Sequence, residues 1–148
     1  MSAVTGQITL AAPADRVWDQ LSDPRQLPKW WPRVSRVELN GEDSFTELLT
    51  TKKGRDVRAD FVTTERSAPT RWTFRQELEE TPFAAVLRTA QTSLLVTALS
   101  ESVATVEITI ERKPRGLSRL GGPMMRRATR RQLDEALQRL GEIHGTAS

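Results

Sequence analysis

The sequence predicts an α+β fold in which seven antiparallel strands form one curved sheet around a long C-terminal helix. Three observations lead to this fold class. Turn residues divide the middle of the chain into short segments that alternate apolar and polar side chains, as strands with one solvated face do. A strand and two short helical segments precede them, and one long helical segment follows them. Because a single helix must cover a whole apolar sheet face, the sheet has to curl around it.

The first elements are a strand and two short helices. Residues 4–11 alternate apolar and polar side chains and predict the strand. In the segment APADRVWDQLSD, Pro13 suits a first helical turn and Asp15 favours the positive end of the helix dipole. A second short helix fits within residues 24–31, because Pro32 prevents its continuation.

Six further strands are predicted after these helices. Alternation is clearest in the strand that begins at Arg71, where Trp72 and Phe74 share one face and the residues between them share the other. Turn signals such as Asn40-Gly41 make each connection short enough to join neighbouring antiparallel strands. The predicted strands cover residues 34–39, 45–51, 57–65 and 71–78, with two more within 88–99 and 103–112.

The last predicted element is a long helix over residues 123–143. One line along it carries the residues that we expect to face the sheet: Met125, Gln132, Ala136, Leu140 and Ile143. No internal repeat, low-complexity tract or long linker divides the chain, so we expect a single domain over residues 1–148.

The composition excludes several kinds of chemistry. The chain has no cysteine and no tyrosine, and its one histidine, His144, lies near the C-terminus. Thiolate metal sites and cysteine nucleophiles are therefore excluded, and no histidine-rich metal spacing, phosphate-binding glycine loop or Ser/His/Asp set can be assembled. Glu47 could act as an acid or base if a cavity desolvated it, but its direction is ambiguous in SFTELLTT. We expect no cofactor and no metal, and we assign no catalytic residue.

The sequence also predicts where the protein resides. The first residues lack the positive region and sustained apolar core of a signal peptide, and no stretch approaches the roughly 20 apolar residues of a membrane span. A chain without cysteine fits a reducing compartment. We therefore expect a cytoplasmic protein, and the abundance of arginine and alanine suggests a bacterial source.

Three stretches carry a resemblance to a known family. They are ITLAAPADRVWDQLSDPRQLPKWWPRVSRVE at residues 8–38, ETPFAAVLRTAQTSLLV at 80–96 and GPMMRRATRRQLDEALQRL at 122–140. The chain resembles the SRPBCC superfamily over nearly its whole length. Members include START-like lipid transfer domains, the birch-pollen-allergen fold, and bacterial polyketide cyclase/dehydrase and lipid transport proteins. The resemblance implies a helix-grip fold with a hydrophobic cavity between the sheet and the C-terminal helix, and it implies no particular reaction.

This fold makes several apolar side chains candidates for the wall of a ligand cavity. They lie on inward strand faces, after a proline bend, or at the start of the long helix: Ala59, Phe61, Trp72, Phe74, Phe83, Leu87, Met124, Met125 and Ala128. Ordinary core packing is the alternative for each of them. Together they describe an apolar interior suited to a small hydrophobic molecule.

A few polar groups are candidates for orienting that ligand. Adjacent Trp30 and Trp31 cannot point the same way, so we expect one in the core and the other, Trp31, at the cavity mouth; alternatively both seal the end of the sheet. Gln132 lies on the covered side of the helix, where its amide needs a partner from the protein or from a ligand. The indole NH groups of Trp31 and Trp72 complete the set.

Charge is concentrated near the start of the long helix. Residues 115–131 carry six arginines and no acid in a chain of net charge +3. Arg126, Arg127, Arg130 and Arg131 could make weak contact with an anionic surface. The alternative is a solvated helix face, because RRATRR lacks interleaved aromatic residues.

The sequence favours reversible binding, and by extension transport, of a small hydrophobic ligand such as a lipid or polyketide. One alternative is a polyketide cyclase/dehydrase-like enzyme whose cavity holds a flexible substrate in a reactive conformation. The absence of tyrosine and the position of His144 count against this alternative, because cyclases of the resembled family commonly use Tyr, His and Arg in the cavity. A second alternative is an interaction module that uses the arginine-rich helix. The ligand and the oligomeric state stay open.

Overall fold

The structure is a computed structural model that describes residues 3–51, 53–85, 87–114 and 121–147. Its strands are β1 (Ala3–Leu10), β2 (Val34–Leu39), β3 (Ser44–Thr50), β4 (Asp56–Ser67), β5 (Arg71–Glu77), β6 (Leu87–Ala98) and β7 (Ala104–Pro114). Its α-helices are α1 (Ala14–Leu21), α2 (Leu27–Trp30) and α3 (Gly121–His144), and one-turn 3-10 helices cover Pro24–Gln26 and Pro82–Ala85. None of the helices in these ranges has the length and apolarity that crossing a membrane requires.

The seven strands form one antiparallel sheet in the order β1-β7-β6-β5-β4-β3-β2. Strands β2 to β7 follow one another as a meander, and β1 pairs with the last of them. The predicted α+β fold class is confirmed, with its seven strands, two short helices after β1 and long C-terminal helix on the sheet. The 3-10 helix at Pro82–Ala85 is not among the predicted elements, because four residues are too few to show a helical period.

Local sequence explains the two short helices. Pro13 is the residue before the first turn of α1 and Asp15 lies within that turn, where a carboxylate favours the helix dipole. The buried face of α1 is made by Val17, Trp18 and Leu21. Helix α2 ends after one turn because the residue before Pro32 is restricted to extended backbone, and that residue has a ψ of 129°.

The main core lies between α3 and the face of the sheet that α3 covers. Ile108 and Leu94, which are directly paired in β7 and β6, are fully buried against this helix, as are Leu133 and Leu140 on the helix itself. A smaller cluster of Leu78, Leu87, Ala90, Phe83 and Met125 packs near the start of α3. The space between these two clusters is the interior described in the next subsection.

Helix α3 lies close along the edge strand β1. Gly6 permits this approach, because a Cβ atom at this position would lie 2.7 Å from Cδ1 of Leu137. Nearer the start of α3, Arg126 and Arg130 donate hydrogen bonds to the backbone carbonyl oxygens of Ala3 and Thr5. The helix therefore occupies hydrogen-bonding groups that the edge of the sheet would otherwise expose.

The end of α3 differs from the predicted sheet-facing line. Ala136 and Leu140 are buried as expected, whereas Ile143 is 45% exposed. The segment after the helix covers this part of β1 instead. The N–H of Ala11 donates to the carbonyl of Gly145, and the N–H of Ala147 donates to the carbonyl of Thr9. Ile143 is thereby left on the solvent side.

Candidate functional site

A cavity of about 420 Å³ opens between the sheet, α2 and the first half of α3. Its walls are mainly apolar. The side chains that line it are Leu27, Trp31, Pro32, Arg33, Glu47, Leu49, Thr50, Thr51, Val57, Phe61, Phe74, Gln76, Phe83, Leu87, Ala90, Gln91, Thr92, Arg112, Met125 and Gln132. The charged and amide groups in the lining are the carboxyl group of Glu47, the guanidinium groups of Arg33 and Arg112, and the amides of Gln76, Gln91 and Gln132. An apolar wall with a few polar groups is the usual composition of a site for a small molecule.

Glu47 is a buried acid in this cavity. It lies on β3 directly opposite Ala59 of β4, on the strand face that also carries Phe45 and Leu49. The residue is 4% exposed, and its carboxyl group has no hydrogen-bond partner among the described residues. Burial raises the pKa of Glu47 to about 8, although the charge of Arg112 acts in the opposite direction. The carboxyl group is therefore largely protonated at neutral pH and can donate a hydrogen bond.

Arg112 enters the same cavity from the other side of the curved sheet. It follows the buried positions Ile108 and Ile110 along the inward face of β7. Its Nη1 donates hydrogen bonds to Oγ1 of Thr129 at 3.0 Å and to Oε1 of Gln132 at 2.8 Å. Burial lowers the pKa of Arg112, and the nearby Glu47 works against that shift. The guanidinium is held in one orientation by α3.

Of the three amides in the lining, those of Gln76 and Gln132 are partly buried, whereas Gln91 is exposed. Gln76 lies on β5 opposite Phe61, and its buried Nε2 has no hydrogen-bond partner in the described part of the chain. Gln132 uses its Oε1 to accept from Arg112, which leaves its NH₂ group as a donor. An unpaired buried donor costs free energy, so a ligand oxygen that reaches Gln76 would be stabilised.

Most of the predicted wall residues meet at this cavity. Those that line it are Trp31, Phe61, Phe74, Phe83, Leu87, Met125 and Gln132. Phe61 and Phe74 also contact Phe45, with ring centroids 5.2 and 5.4 Å away from it. The structure brings these side chains together, and it leaves Ala59, Trp72, Met124 and Ala128 out of the lining.

The expectation that Met124 and Ala128 face the cavity is wrong. Met124 is 66% exposed and Ala128 is also on the solvent side. An α-helix turns about 100° per residue, so Met125, Thr129 and Gln132 share the inward face while Met124 and Ala128 fall beside or behind it. Only the second of the two adjacent methionines contributes to the wall.

Ala59 and Trp72 point inward but belong to the core. Ala59 is buried opposite Glu47 and does not reach the cavity surface. Trp72 is fully buried among aromatic rings, and its Nε1 donates to Oγ1 of Thr63 at 3.0 Å. The indole NH of Trp72 is already bonded to Thr63, so it is not available to orient a ligand as expected. Trp72 has a structural role instead.

The two adjacent tryptophans have different surroundings. Trp30 is fully buried in the main core, whereas Trp31 lines the cavity next to Pro32. Their rings meet edge to face, with centroids 5.7 Å apart and planes at 87°. Arg139 of α3 donates to the backbone carbonyl of Trp31 at 3.4 Å and fixes the chain at this corner. Trp31 therefore forms part of the cavity wall, on a segment whose backbone is hydrogen-bonded to α3.

The four arginines at the start of α3 divide into two pairs. Arg126 and Arg130 point toward β1 and donate to its carbonyl oxygens. Arg127 and Arg131 are exposed, and neither makes an ion pair with another described residue. The predicted basic segment also includes residues 115–120, which lie outside the described residues.

Sequence reasoning missed Arg112 and left Glu47 unassigned. The signal for Arg112 was its place in the alternation of β7, two residues after Ile110 on the inward face. The direction of Glu47 could be decided only from its register with Ala59, because both faces of SFTELLTT carry apolar and polar residues. In the described part of the chain, no group of three or more His, Asp or Glu side chains could hold a metal ion.

A comparison with models of protein families shows the family of this chain. A family model described as polyketide cyclase / dehydrase and lipid transport matches residues 1–144. The chain belongs to this family. The polyketide cyclase / dehydrase and lipid transport family is part of the SRPBCC superfamily that the sequence resembles, so that resemblance is confirmed. A comparison with curated proteins gave no significant match.

Solved structures of low sequence identity share the fold of this family member. The di-domain ARO/CYC BexL from the BE-7585A biosynthetic pathway matches with a TM-score of 0.79 and 21% identity over 95% of this chain. The match spans 45% of BexL, so the chain corresponds to less than half of that protein. The Zhui aromatase/cyclase from Streptomyces sp. R1128 gives a TM-score of 0.77 at 20% identity, covering 95% of this chain and 92% of that one.

A START superfamily protein from Mycobacterium smegmatis is a third similar structure. It gives a TM-score of 0.74 at 12% identity and covers 95% of this chain and 98% of that chain. At these identities the three likenesses establish the helix-grip fold of the family member. Its function has to be argued from its own cavity.

Proposed function

We propose that this protein binds a small hydrophobic molecule, such as a lipid or polyketide, in the cavity between the sheet and α3. The observation that carries this proposal is a mainly apolar cavity of about 420 Å³ whose few inner polar groups include the buried carboxyl group of Glu47. The family description, which includes lipid transport, is consistent with it. Transport of the bound molecule is an extension of the same proposal.

The driving force would be burial of apolar ligand surface. Each Å² removed from water contributes about 25 cal/mol, so the aromatic and aliphatic wall supplies affinity without a fixed orientation. Orientation would come from the polar cluster, with donors at Gln76 Nε2 and on Arg112 and the protonated carboxyl group of Glu47. This set replaces the indole of Trp72, which is bonded to Thr63.

Native mass spectrometry of the purified protein tests this function, followed by extraction and identification of any small molecule that co-purifies. We expect a non-covalent adduct near one ligand per chain that is released on denaturation. A bare protein that also takes up no member of a panel of apolar probes would contradict the proposal.

A second function is polyketide cyclase/dehydrase-like catalysis, and the protonated state of buried Glu47 favours it. Two similar structures are named as aromatase/cyclases, and a carboxylic acid in an apolar cavity is a group that can donate a proton to a carbonyl oxygen. Arg112 could stabilise the negative charge that develops on such an oxygen. The cavity would also hold a flexible chain in a folded conformation.

Turnover separates this function from binding alone. A linear poly-β-ketone would be incubated with the wild-type protein and with Glu47→Gln, and the aromatic product would be measured by absorbance and mass spectrometry. Cyclisation above the spontaneous rate that Glu47→Gln lowers at least about tenfold would support an enzyme. Binding of the ketone with no rate increase would leave the protein as a carrier.

A further inference from the structure

The cavity is lined by more basic than acidic side chains. Three charged residues line it, namely Arg33, Glu47 and Arg112. Arg33 is exposed at the rim, so its charge is solvated. The interior therefore holds one guanidinium and one carboxyl group. When that carboxyl group is protonated, the interior carries an uncompensated positive charge, which is costly in an apolar environment.

Glu47 and Arg112 face the cavity without forming an ion pair with each other. The ion pairs among the described residues do not include either side chain. Nη1 of the guanidinium donates to Thr129 and Gln132, whereas Nε and Nη2 make no hydrogen bond to a described residue and can donate to a ligand. Because both side chains line the same cavity, a bound group can contact the acid and the guanidinium.

The free hydrogen-bonding groups of this cluster are mostly donors. Among the described residues, Gln76 Nε2, the NH₂ of Gln132 and the Nε and Nη2 groups of Arg112 have no hydrogen-bond acceptor. Each of these donors is complementary to an oxygen that accepts hydrogen bonds and carries no proton. An ionised carboxylate, whose two oxygens match the planar guanidinium, satisfies more of them than an alcohol or an amide does.

We propose that the cavity selects amphiphiles whose polar end is a single carboxylate, bound at Arg112, and that Glu47 stays or becomes protonated when this anion binds. This inference rests on the proposed binding function. One negative charge compensates the one buried guanidinium. A dianion would leave an excess negative charge in the apolar interior, and a neutral head would leave Arg112 uncompensated.

The surroundings of Glu47 make it the group that takes up the proton. Its neighbours on the adjacent strands are Val37 and Ala59, which do not ionise. Across the cavity, β5 and α3 contribute the neutral amides of Gln76 and Gln132, and the charged groups are Arg112 on β7 and Arg33 at the rim. A ligand carboxylate beside Arg112 competes with ionised Glu47 for the same cation, so binding of the ligand and ionisation of Glu47 oppose each other.

Paired neutral and anionic ligands test this inference. Octanoate and octanamide have the same chain and differ in the charge of the head, and both would be titrated by isothermal calorimetry. At about pH 7 we expect octanoate to bind at least about tenfold more tightly than octanamide, because only the carboxylate compensates the guanidinium. In Arg112→Gln this preference should disappear, whereas the surface variant Arg131→Gln should keep it.

Proton uptake provides a readout that does not depend on the Arg112 variant remaining folded. Glu47 must regain a proton above its pKa, so octanoate affinity in the wild type should fall about tenfold per pH unit above about pH 8. Calorimetry in two buffers of different ionisation enthalpy should then report uptake of about one proton per ligand at about pH 9. Glu47→Gln should bind octanoate with neither effect.

The outcomes separate this inference from the function on which it rests. Octanamide binding as tightly as octanoate would overturn carboxylate selection, and the same pH dependence in Glu47→Gln and wild type would overturn proton uptake by Glu47. Either result would leave the cavity as a binding site. Failure of both ligands and of every neutral apolar probe to bind would overturn the binding function itself.

Discussion

Arg112 and Gln132 are joined by a 2.8 Å hydrogen bond from Nη1 to Oε1, which links the inward face of β7 to the covered face of α3. Thr129, one turn earlier on the same helix, accepts a second bond from the same nitrogen at 3.0 Å. The helix thereby holds a cation inside an apolar cavity. This cation and the buried acid of Glu47 are the chemical features from which the function of the cavity can be argued.

Glu47 should make the protein less stable as the pH rises. Its folded pKa of about 8 lies above its ordinary value of 4.5, so the folded state binds more protons between these two pH values and the free energy of unfolding falls as pH increases through that window. Glu47→Gln should remove this pH-dependent loss of stability, which is on the order of a few kcal/mol. Urea unfolding at several pH values measures the free energy of unfolding, and identical pH profiles for the two proteins would contradict the burial of this acid.

A side chain at Gly6 should disturb the packing of α3 on β1. The Cβ of Gly6→Ala would lie 2.7 Å from Cδ1 of Leu137 and 3.0 Å from Cδ2 of Leu133, so these buried side chains would have to shift and the free energy of unfolding should fall by about 1–3 kcal/mol. Gly122→Ala is the matched control, because nothing lies within 4 Å of a Cβ there and alanine favours a helix. Equal chemical denaturation midpoints for both variants would show that the helix does not lie this close.

Thr63 should be needed to satisfy the buried indole of Trp72. Thr63→Val keeps the shape of the side chain and removes the oxygen that accepts from Nε1, which should cost about 1–3 kcal/mol of folding free energy. Thr97→Val on the exposed part of β6 serves as the control, with an expected change within about 0.5 kcal/mol. No difference between the two variants in thermal unfolding would argue against this hydrogen bond.

The two arginine pairs at the start of α3 should behave differently. Because Arg126 and Arg130 bond to β1, replacing both with glutamine should lower stability by about 1 kcal/mol. If the basic face contacts an anionic surface, Arg127 and Arg131 should carry that contact, so their replacement by glutamine should weaken binding to vesicles containing phosphatidylserine and leave stability unchanged. Co-sedimentation at low salt measures this binding. Equal loss in both double variants would contradict the division into pairs.

The order of the elements could be predicted from the sequence because each carries its own local signal. Pro13 marks the start of α1, and alternation around Trp72 and Phe74 marks β5 and its inward face. The different environments of Trp30 and Trp31 could be expected from their adjacency, because neighbouring side chains do not point the same way. These features depend on spacing and backbone restriction, which are properties of short stretches of chain.

The chemistry of the cavity depended on long-range geometry that short stretches do not encode. The rotation of α3 about its axis decided that Met125 faces inward and Met124 outward, and the first turns of the helix have too few apolar residues to fix that rotation. Glu47 and Arg112 lie on strands far apart in the chain, and curvature of the sheet brings both to one cavity. The pKa shift of Glu47 follows from that meeting, so no local pattern predicts it.

The most direct test of the binding site is to fill it. Thr92 lines the cavity from β6, so Thr92→Trp should occupy much of its volume, whereas Ala128→Trp adds the same side chain on the solvent face of α3. Nile red, a neutral apolar dye, would be titrated into the wild type and both variants and followed by fluorescence. We expect Thr92→Trp to lower the affinity for Nile red at least about tenfold and Ala128→Trp to retain it. Undiminished binding by a folded Thr92→Trp protein would contradict a ligand site between the sheet and α3.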